Sequence, residues 1–122
     1  MEQSAAGAVP EMSREMRECI EACMACHGVC EETMSACMQM VSAPSMQVMR
    51  AVMDCSEMTR MCADMMMRRS PMTAGIADMC ARACDMSAQA CMAMPDDPVM
   101  MRCAEACRRC AQMCRAMTAA AM

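Results

Sequence analysis

Two segments of the chain carry cysteine with the same spacing, Cys-x3-Cys-x2-Cys-x3-Cys, one starting at Cys19 and the other at Cys103. Each residue of an α-helix turns the side chain by about 100°, so this spacing holds all four thiols of a segment within one narrow arc. Thiolates are nucleophiles, redox groups and ligands for soft metal ions. The chemistry of this protein is therefore expected to depend on many thiols that share one surface.

The other cysteines extend the pattern to further stretches of the chain. Cys37 continues the first stripe, and Cys55 and Cys62 are seven residues apart, which brings them to within about 20° on a helix. A third stretch holds three thiols on one face, together with Ser87. All 14 thiols can thus face a single axis, and we predict that each is a metal ligand: Cys19, Cys23, Cys26, Cys30, Cys37, Cys55, Cys62, Cys80, Cys84, Cys91, Cys103, Cys107, Cys110 and Cys114.

Proline residues mark the ends of the elements that carry these stripes. Pro10 precedes an acidic first turn, Ser70 before Pro71 is a typical helix cap, and Asp97 before Pro98 is another. The stretches between are rich in Ala, Met, Glu and Arg, which are good helix formers, and no alternating strand pattern occurs. The predicted helices are residues 11–41, 45–69, 71–94 and 98–120, after a flexible segment, 1–10.

The connections between these helices are short, which makes sequential helices antiparallel neighbours. The chain of 122 residues is the size of one domain. We therefore predict an all-α fold, an antiparallel up-down-up-down four-helix bundle formed by the single domain 1–122. In this arrangement the cysteine faces replace the Leu and Ile of an ordinary core, and the thiols form layers along the bundle axis.

The composition excludes several classes of protein. Phe, Tyr, Trp, Leu and Lys are absent and the net charge is −4, so neither a nucleic-acid surface nor a lysine-dependent active site is expected. No run of 18 apolar residues predicts a membrane span, and the N-terminus lacks the features of a signal peptide. No catalytic constellation of Ser, His and Asp and no glycine-rich phosphate loop occurs, so we expect a cytoplasmic protein that is not an enzyme.

In a reducing compartment, metal binding is a better explanation of 14 cysteines than disulfides. Soft thiolates select Cu(I), zinc or iron–sulfur clusters. An uncompensated buried charge is costly. Zinc bound by four thiolates leaves a charge of −2 at every site, whereas one Cu(I) per bridging thiolate leaves a neutral core. The cysteines lie in continuous helix and not in the loops or knuckles typical of zinc and iron–sulfur sites. The sequence therefore favours multiple Cu(I) ions.

These motifs resemble those of the bacterial copper storage proteins, a cysteine-rich four-helix-bundle family, over about Met12 to Met117. The resemblance rests on the repeated Cys-x3-Cys pairs, on the Cys-Met-Ala-Cys-His stretch and on the cysteine-rich last helix. It implies many Cu(I) ions along the core, a homotetramer, a storage or detoxification role and, without a leader, a cytosolic member. The thiolate pairs carried over from the family are Cys19/Cys23, Cys26/Cys30, Cys80/Cys84, Cys103/Cys107 and Cys110/Cys114.

The 25 methionines are more than such a family leads us to expect. Most are interpreted as helix formers and packing residues that replace Leu. Met40 and Met46 lie near the mouth, by which we mean the bundle end with the first and third interhelical connections, and they are candidate ligands for incoming Cu(I). Met58 and Met66 follow the cysteine stripe of the second helix, so they are candidates for either packing or ligation.

Two functional alternatives remain at this point. His27 is a candidate Cu(I) ligand at the edge of the first stripe, but Cys23, Cys26 and His27 also form the Cys-x-x-Cys-His signature of c-type haem attachment. An electron-transfer haem bundle is therefore one alternative, although it leaves the other cysteines without a role. The second alternative is a copper chaperone that binds one or two ions at an exchange site.

Overall fold

The computed structural model describes residues 12–39 and 45–121, and it forms four helices in the predicted order. These are α1 (Arg14–Met38), α2 (Met46–Met67), α3 (Thr73–Cys91) and α4 (Pro98–Ala121). Each helix packs against its sequence neighbours, and α4 also packs against α1, which closes the bundle. The prediction of an all-α four-helix bundle is confirmed. The expected flexibility of residues 1–10 concerns a segment outside the described residues.

Side-chain caps set the start of three helices. The Ser13 hydroxyl accepts a hydrogen bond from the Met16 N–H at 3.1 Å, so α1 begins at Arg14 and not at residue 11. Ser45 caps α2 in the same way. The Asp97 carboxylate accepts from the Val99 N–H at 2.9 Å, which leaves Pro98 as the first residue of α4, as the sequence predicts.

The start of α3 differs from the prediction, because Ser70 helps to end the preceding helix. Arg69 adopts a left-handed conformation with φ of 53°, and the Ser70 N–H donates to the Met65 carbonyl at 3.0 Å. This is the hydrogen bond that commonly closes a helix C-terminus. Pro71 therefore lies in the turn, and α3 begins at Thr73. At its other end α3 stops at Cys91, after which the chain turns through Met94.

Cysteine occupies the centre of the bundle. Thirteen of the 14 thiol residues have no exposed surface, and Cys37 is 4% exposed. Between them on the inward stripes lie Val48, Val52, Met66 and Met100, all buried. The charged side chains lie outside, and the ion pair of Arg102 with Glu32 at 2.7 Å joins α4 to α1 on the surface. The helix faces therefore point as the cysteine spacing predicts.

No helix among the described residues combines the length and the apolar character that a membrane span requires.

Candidate metal centre

Sulfur atoms from different helices lie in direct contact in the core. The Sγ atoms of Cys19 and Cys114 are 3.5 Å apart, and those of Cys23 and Cys110 are 3.6 Å apart. Cys55 of α2 is 3.6 Å from Cys84 of α3. All 14 cysteines are free thiols, and these distances are well above the roughly 2.05 Å of a disulfide bond. The bundle thus presents thiols from several helices to common points on its axis.

Four groups of sulfurs are compact enough to hold an ion, since the atoms within each group all lie within 4.8 Å of one another. Each group combines cysteines from at least three helices. The groups are Cys19, Cys23, Cys62 and Cys114; Cys23, Cys80, Cys110 and Cys114; Cys26, Cys84 and Cys110; and Cys26, Cys30, Cys55 and Cys107.

These groups are not separate sites, because neighbouring groups share members. Cys23 and Cys114 belong to the first two groups, Cys110 links the second group to the third, and Cys26 links the third to the fourth. Eleven sulfurs therefore form one continuous array along the bundle axis, which we call the thiol array. Bridging thiolates suit a set of monovalent ions better than isolated four-thiolate zinc sites, in which each ligand belongs to one metal.

Three cysteines lie at the mouth, outside these groups. Cys37 stands near the end of α1, Cys91 ends α3, and Cys103 is in the first turns of α4. Burial raises the pKa of the Cys37 thiol, and the nearby Asp97 carboxylate adds to that rise. The sequence identified Asp97 only as a helix cap, because nothing in the local pattern indicates that its charge faces Cys37.

The thiols in the array perturb one another's ionisation. Hydrogen bonds from neighbouring thiols, that of Cys107 first, lower the pKa of Cys55 to about 6. Neighbouring thiols also lower the pKa of Cys26, Cys80, Cys103 and Cys114, so donated hydrogen bonds favour some thiolates while other thiols are held protonated. The pKa of Cys23 is raised far above its ordinary value by Cys110, by Cys114 and by burial. Metal binding must therefore displace protons from several buried thiols.

Other raised pKa values predict a loss of apo-protein stability in alkali. Cys30 and Cys84, like Cys23, have pKa values raised above the ordinary 9.0 by hydrogen-bonded thiols and burial. Above pH 9 the unfolded chain releases these protons while the folded chain keeps them, so the stability that these three thiols contribute is full below pH 9 and falls as the pH rises. We expect the melting temperature of the reduced, metal-free protein to fall by at least about 10 °C between pH 8 and pH 10.5.

Circular dichroism melting in the presence of a phosphine reductant measures this change. The Cu(I)-loaded protein is the control, because its ligating thiolates have already lost their protons, and its melting temperature should vary little over the same range. A parallel fall in both forms would contradict the assignment of the effect to buried thiols.

Hydroxyl groups occupy several of the stripe positions that lack cysteine. Ser87 accepts a hydrogen bond from the Cys107 thiol at 3.3 Å, at the place where the cysteine spacing of α1 and α4 would put another thiol. The hydroxyls of Thr33 and Thr59 donate to main-chain carbonyls four residues earlier, at 2.7 and 2.8 Å. These threonines lie three or four residues from a cysteine, a spacing that identifies them as stripe positions.

The candidate methionine ligands are dispersed. Met66 is completely buried one turn beyond Cys62, whereas Met58 is half-buried, packs against the core and lines a groove on the outer surface between α2 and α3. Met46 is 67% exposed at the start of α2, and Met40 lies outside the described residues. Among the proposed methionine ligands that the structure describes, only Met66 is therefore fully enclosed with the thiols, and Met100, which the sequence did not single out as a ligand, is equally buried.

His27 points to a backbone carbonyl of α2 and does not belong to the four sulfur groups. Its Nδ1 atom is 2.8 Å from the Ser56 carbonyl oxygen, and the Ser56 hydroxyl donates to Glu31 at 2.6 Å. Because a carbonyl can only accept, Nδ1 carries the proton and Nε2 remains free as an acceptor in the neutral ring. Cys23 and Cys26 are meanwhile packed against thiols of α4 and have no exposed surface, whereas haem attachment needs accessible thiols.

Comparison with known families agrees with this geometry. Residues 12–119 match the family described as copper storage protein. No curated protein sequence shows significant similarity to the chain.

Solved structures with the same architecture include three relatives from this family. The Cu(I)-bound copper storage protein BsCsp3 superposes with a TM-score of 0.81 and 26% identity, over 86% of this chain and 99% of that one. Apo-Csp3 from Bacillus subtilis has a TM-score of 0.74 and 28% identity, over 84% and 97% of the two chains. A cytosolic copper storage protein from Streptomyces lividans with five coppers has a TM-score of 0.80 and 29% identity, over 86% and 92%.

Proposed function

Because the chain belongs to the copper storage protein family, we propose that it stores many Cu(I) ions on core thiolates and that all 14 cysteines act as ligands. The observation that carries this proposal is the thiol array, in which eleven sulfurs are linked through shared members of compact groups. A chain that binds a single transition-metal ion needs only two to four such ligands. The length of the array therefore indicates a capacity to hold many ions, and not a site that activates one metal ion for catalysis.

The charge of the core supports a monovalent cargo. All described thiols are buried, and no charged side chain belongs to the buried core of the described residues. Each thiolate that forms on metal binding must therefore be neutralised by the metal itself. One Cu(I) per bridging thiolate achieves this neutrality, whereas divalent ions with four thiolates each leave negative charge in a dry interior.

The position of the mouth suggests a direction of filling. Cys37, Cys91 and Cys103 lie between the connections and the thiol array, and the Asp97 carboxylate close to Cys37 attracts cations. Shared sulfurs then allow an ion to pass from one group to the next without becoming free of ligands. Met46, exposed beside this end, and Met40 are proposed as weaker thioether ligands for arriving ions, while His27, Met58 and Met66 remain candidate ligands.

A titration of reduced apo-protein with Cu(I) against a competing chelator tests the storage function. We expect uptake of about 14 ions, close to one per thiol, because bridging thiolates are shared between ions. Protein with alkylated thiols is the control and should bind few ions or none. Saturation of the native protein at one or two ions would instead support the copper chaperone alternative.

Two further proposals concern assembly and location. We propose a homotetramer, as the family resemblance implies, and sedimentation velocity of the loaded and metal-free protein measures its mass directly. We also place the protein in the cytoplasm, because the Streptomyces lividans relative is a cytosolic storage protein. No catalytic role is proposed for any residue.

A further inference from the structure

A groove on the outer surface between α2 and α3 contains an unusual concentration of methionine. Met58 and Met61 of α2 and Met79 and Met86 of α3 line it, and its volume is about 300 Å³. Three other surface grooves of the described chain contain one methionine each or none. Two antiparallel helices thus each contribute two thioether side chains to the lining of one surface groove.

These methionines do not serve the core as packing residues alone. Met61, Met79 and Met86 are 49%, 51% and 65% exposed, so about half or more of each side chain faces solvent. Exposed apolar side chains gain little burial energy, and other helix formers would serve equally well at these positions. What distinguishes methionine from them is a soft, polarisable sulfur on a flexible side chain.

The charges at the groove suit a monovalent cation. Asp54 and Glu57 lie in its lining beside the thioethers, and Arg82 is the one basic residue there. The guanidinium of Arg82 donates a weak hydrogen bond to the Met79 Sδ atom at 3.9 Å, so this sulfur already acts as an acceptor for a cationic group. The net charge of these three groups is −1, which one Cu(I) ion neutralises.

We propose that this methionine groove binds one Cu(I) ion through thioethers, at a site on the outer wall that is separate from the thiol array. Thioethers are neutral and release no proton when they bind a metal, so they hold Cu(I) more weakly than thiolates do. The ion therefore exchanges quickly with solution. Soft monovalent ions are selected over Zn²⁺ and Mg²⁺ because four thioethers outnumber the two carboxylates in the lining, and thioether sulfur is a poor ligand for the harder ions. The site adds a labile ion to the stored ions in the core.

Methyl NMR of methionine tests the proposal on protein labelled with carbon-13 at the methionine methyl groups. The thiol array is first filled with Cu(I) under anaerobic conditions, and further Cu(I) is then added. We expect the methyl signals of Met61 and Met79 to shift and to saturate at one added equivalent. Each signal is assigned by its loss in the corresponding single Met→Leu variant.

A double variant and a matched control decide the outcome. Met61→Leu with Met79→Leu keeps the side-chain volume and removes two thioethers, so binding of the added ion should weaken at least tenfold. Met24→Leu with Met67→Leu removes two methionines of similar exposure from other faces and should leave that binding unchanged.

Two results would overturn the groove site. One is a parallel, unsaturable shift of all exposed methionine methyls, and the other is retention of the added equivalent by the Met61→Leu/Met79→Leu variant. Copper binding to the thiol array is measured first and binding to the groove second. A failure of copper storage therefore appears as low uptake in the first stage, and it is not confused with a failure of the groove to bind the added ion.

Discussion

Replacement of the four cysteines of α4 by serine is expected to remove half or more of the Cu(I) capacity. Their share of the thiols, four of 14, would predict a loss of only about a quarter. However, each of the four compact sulfur groups contains Cys107, Cys110 or Cys114. The replacement therefore leaves none of the four groups intact and removes Cys110, the sulfur that links the second group to the third, so the loss exceeds the number of sulfurs removed.

Capacity is measured by Cu(I) titration against a chelator, and helix content by circular dichroism. Serine should be tolerated because Thr33 and Thr59 show that a buried hydroxyl can donate to the carbonyl four residues earlier. The matched control replaces Cys37, Cys62, Cys80 and Cys91 by serine. Each of these thiols belongs to one sulfur group or to none, so this variant should lose only about a quarter of the capacity. Equal losses in the two variants would show that the ions bind independently of the shared sulfurs.

Loading with Cu(I) is expected to raise the melting temperature of the reduced protein by at least about 20 °C. The metal-free bundle should fold, because Ser13, Ser45 and Asp97 cap its helices, but a core of cysteine, alanine and methionine makes it only modestly stable. A ligand present at 1,000 times its dissociation constant adds about 4 kcal/mol per site. In a domain of this size each kcal/mol raises the melting temperature by several degrees, so two tight sites already account for this shift.

Thermal melting of the apo and loaded forms under anaerobic conditions measures the difference. The α4 serine variant provides an internal comparison, and its shift should be smaller in proportion to its remaining capacity. A random-coil spectrum of the metal-free protein would contradict the expectation that the fold precedes metal binding. An unchanged melting temperature on loading would show that the ions bind the unfolded chain as well as the native one.

The sequence was sufficient for the faces of the helices but not for their axial alignment. The spacing from Cys19 to Cys30 and from Cys103 to Cys114 is a property of one helix each, so the inward stripes could be read directly. Which thiols meet across the bundle depends on how far the helices slide past one another, and this is determined by packing. The contact of Cys26 with Cys107 at 3.8 Å, and the bridging role of Cys26 between two groups, could not be derived from spacing.

Helix boundaries illustrate the same limit at a smaller scale. Asp97 and Pro98 are a local signal, and α4 begins where they indicate. Ser70 and Pro71 are a similar signal, but the C-terminus of α2 uses the Ser70 N–H before α3 can begin. His27 likewise looks like part of a Cys-x-x-Cys-His motif, and only the position of α2 shows that its ring is held by the Ser56 carbonyl.

The uneven distribution of cysteine among the helices has a mechanical consequence for the loaded protein. Copper bound by thiolates from several helices is a crosslinker, and α1 offers five attachment points, α4 four, α3 three and α2 only two, Cys55 and Cys62. The rest of the inward stripe of α2 consists of side chains such as Val48, Val52 and Thr59. The crosslink density of the filled bundle is therefore lowest along α2, so the fluctuations that expose stored ions to an acceptor are concentrated on this wall.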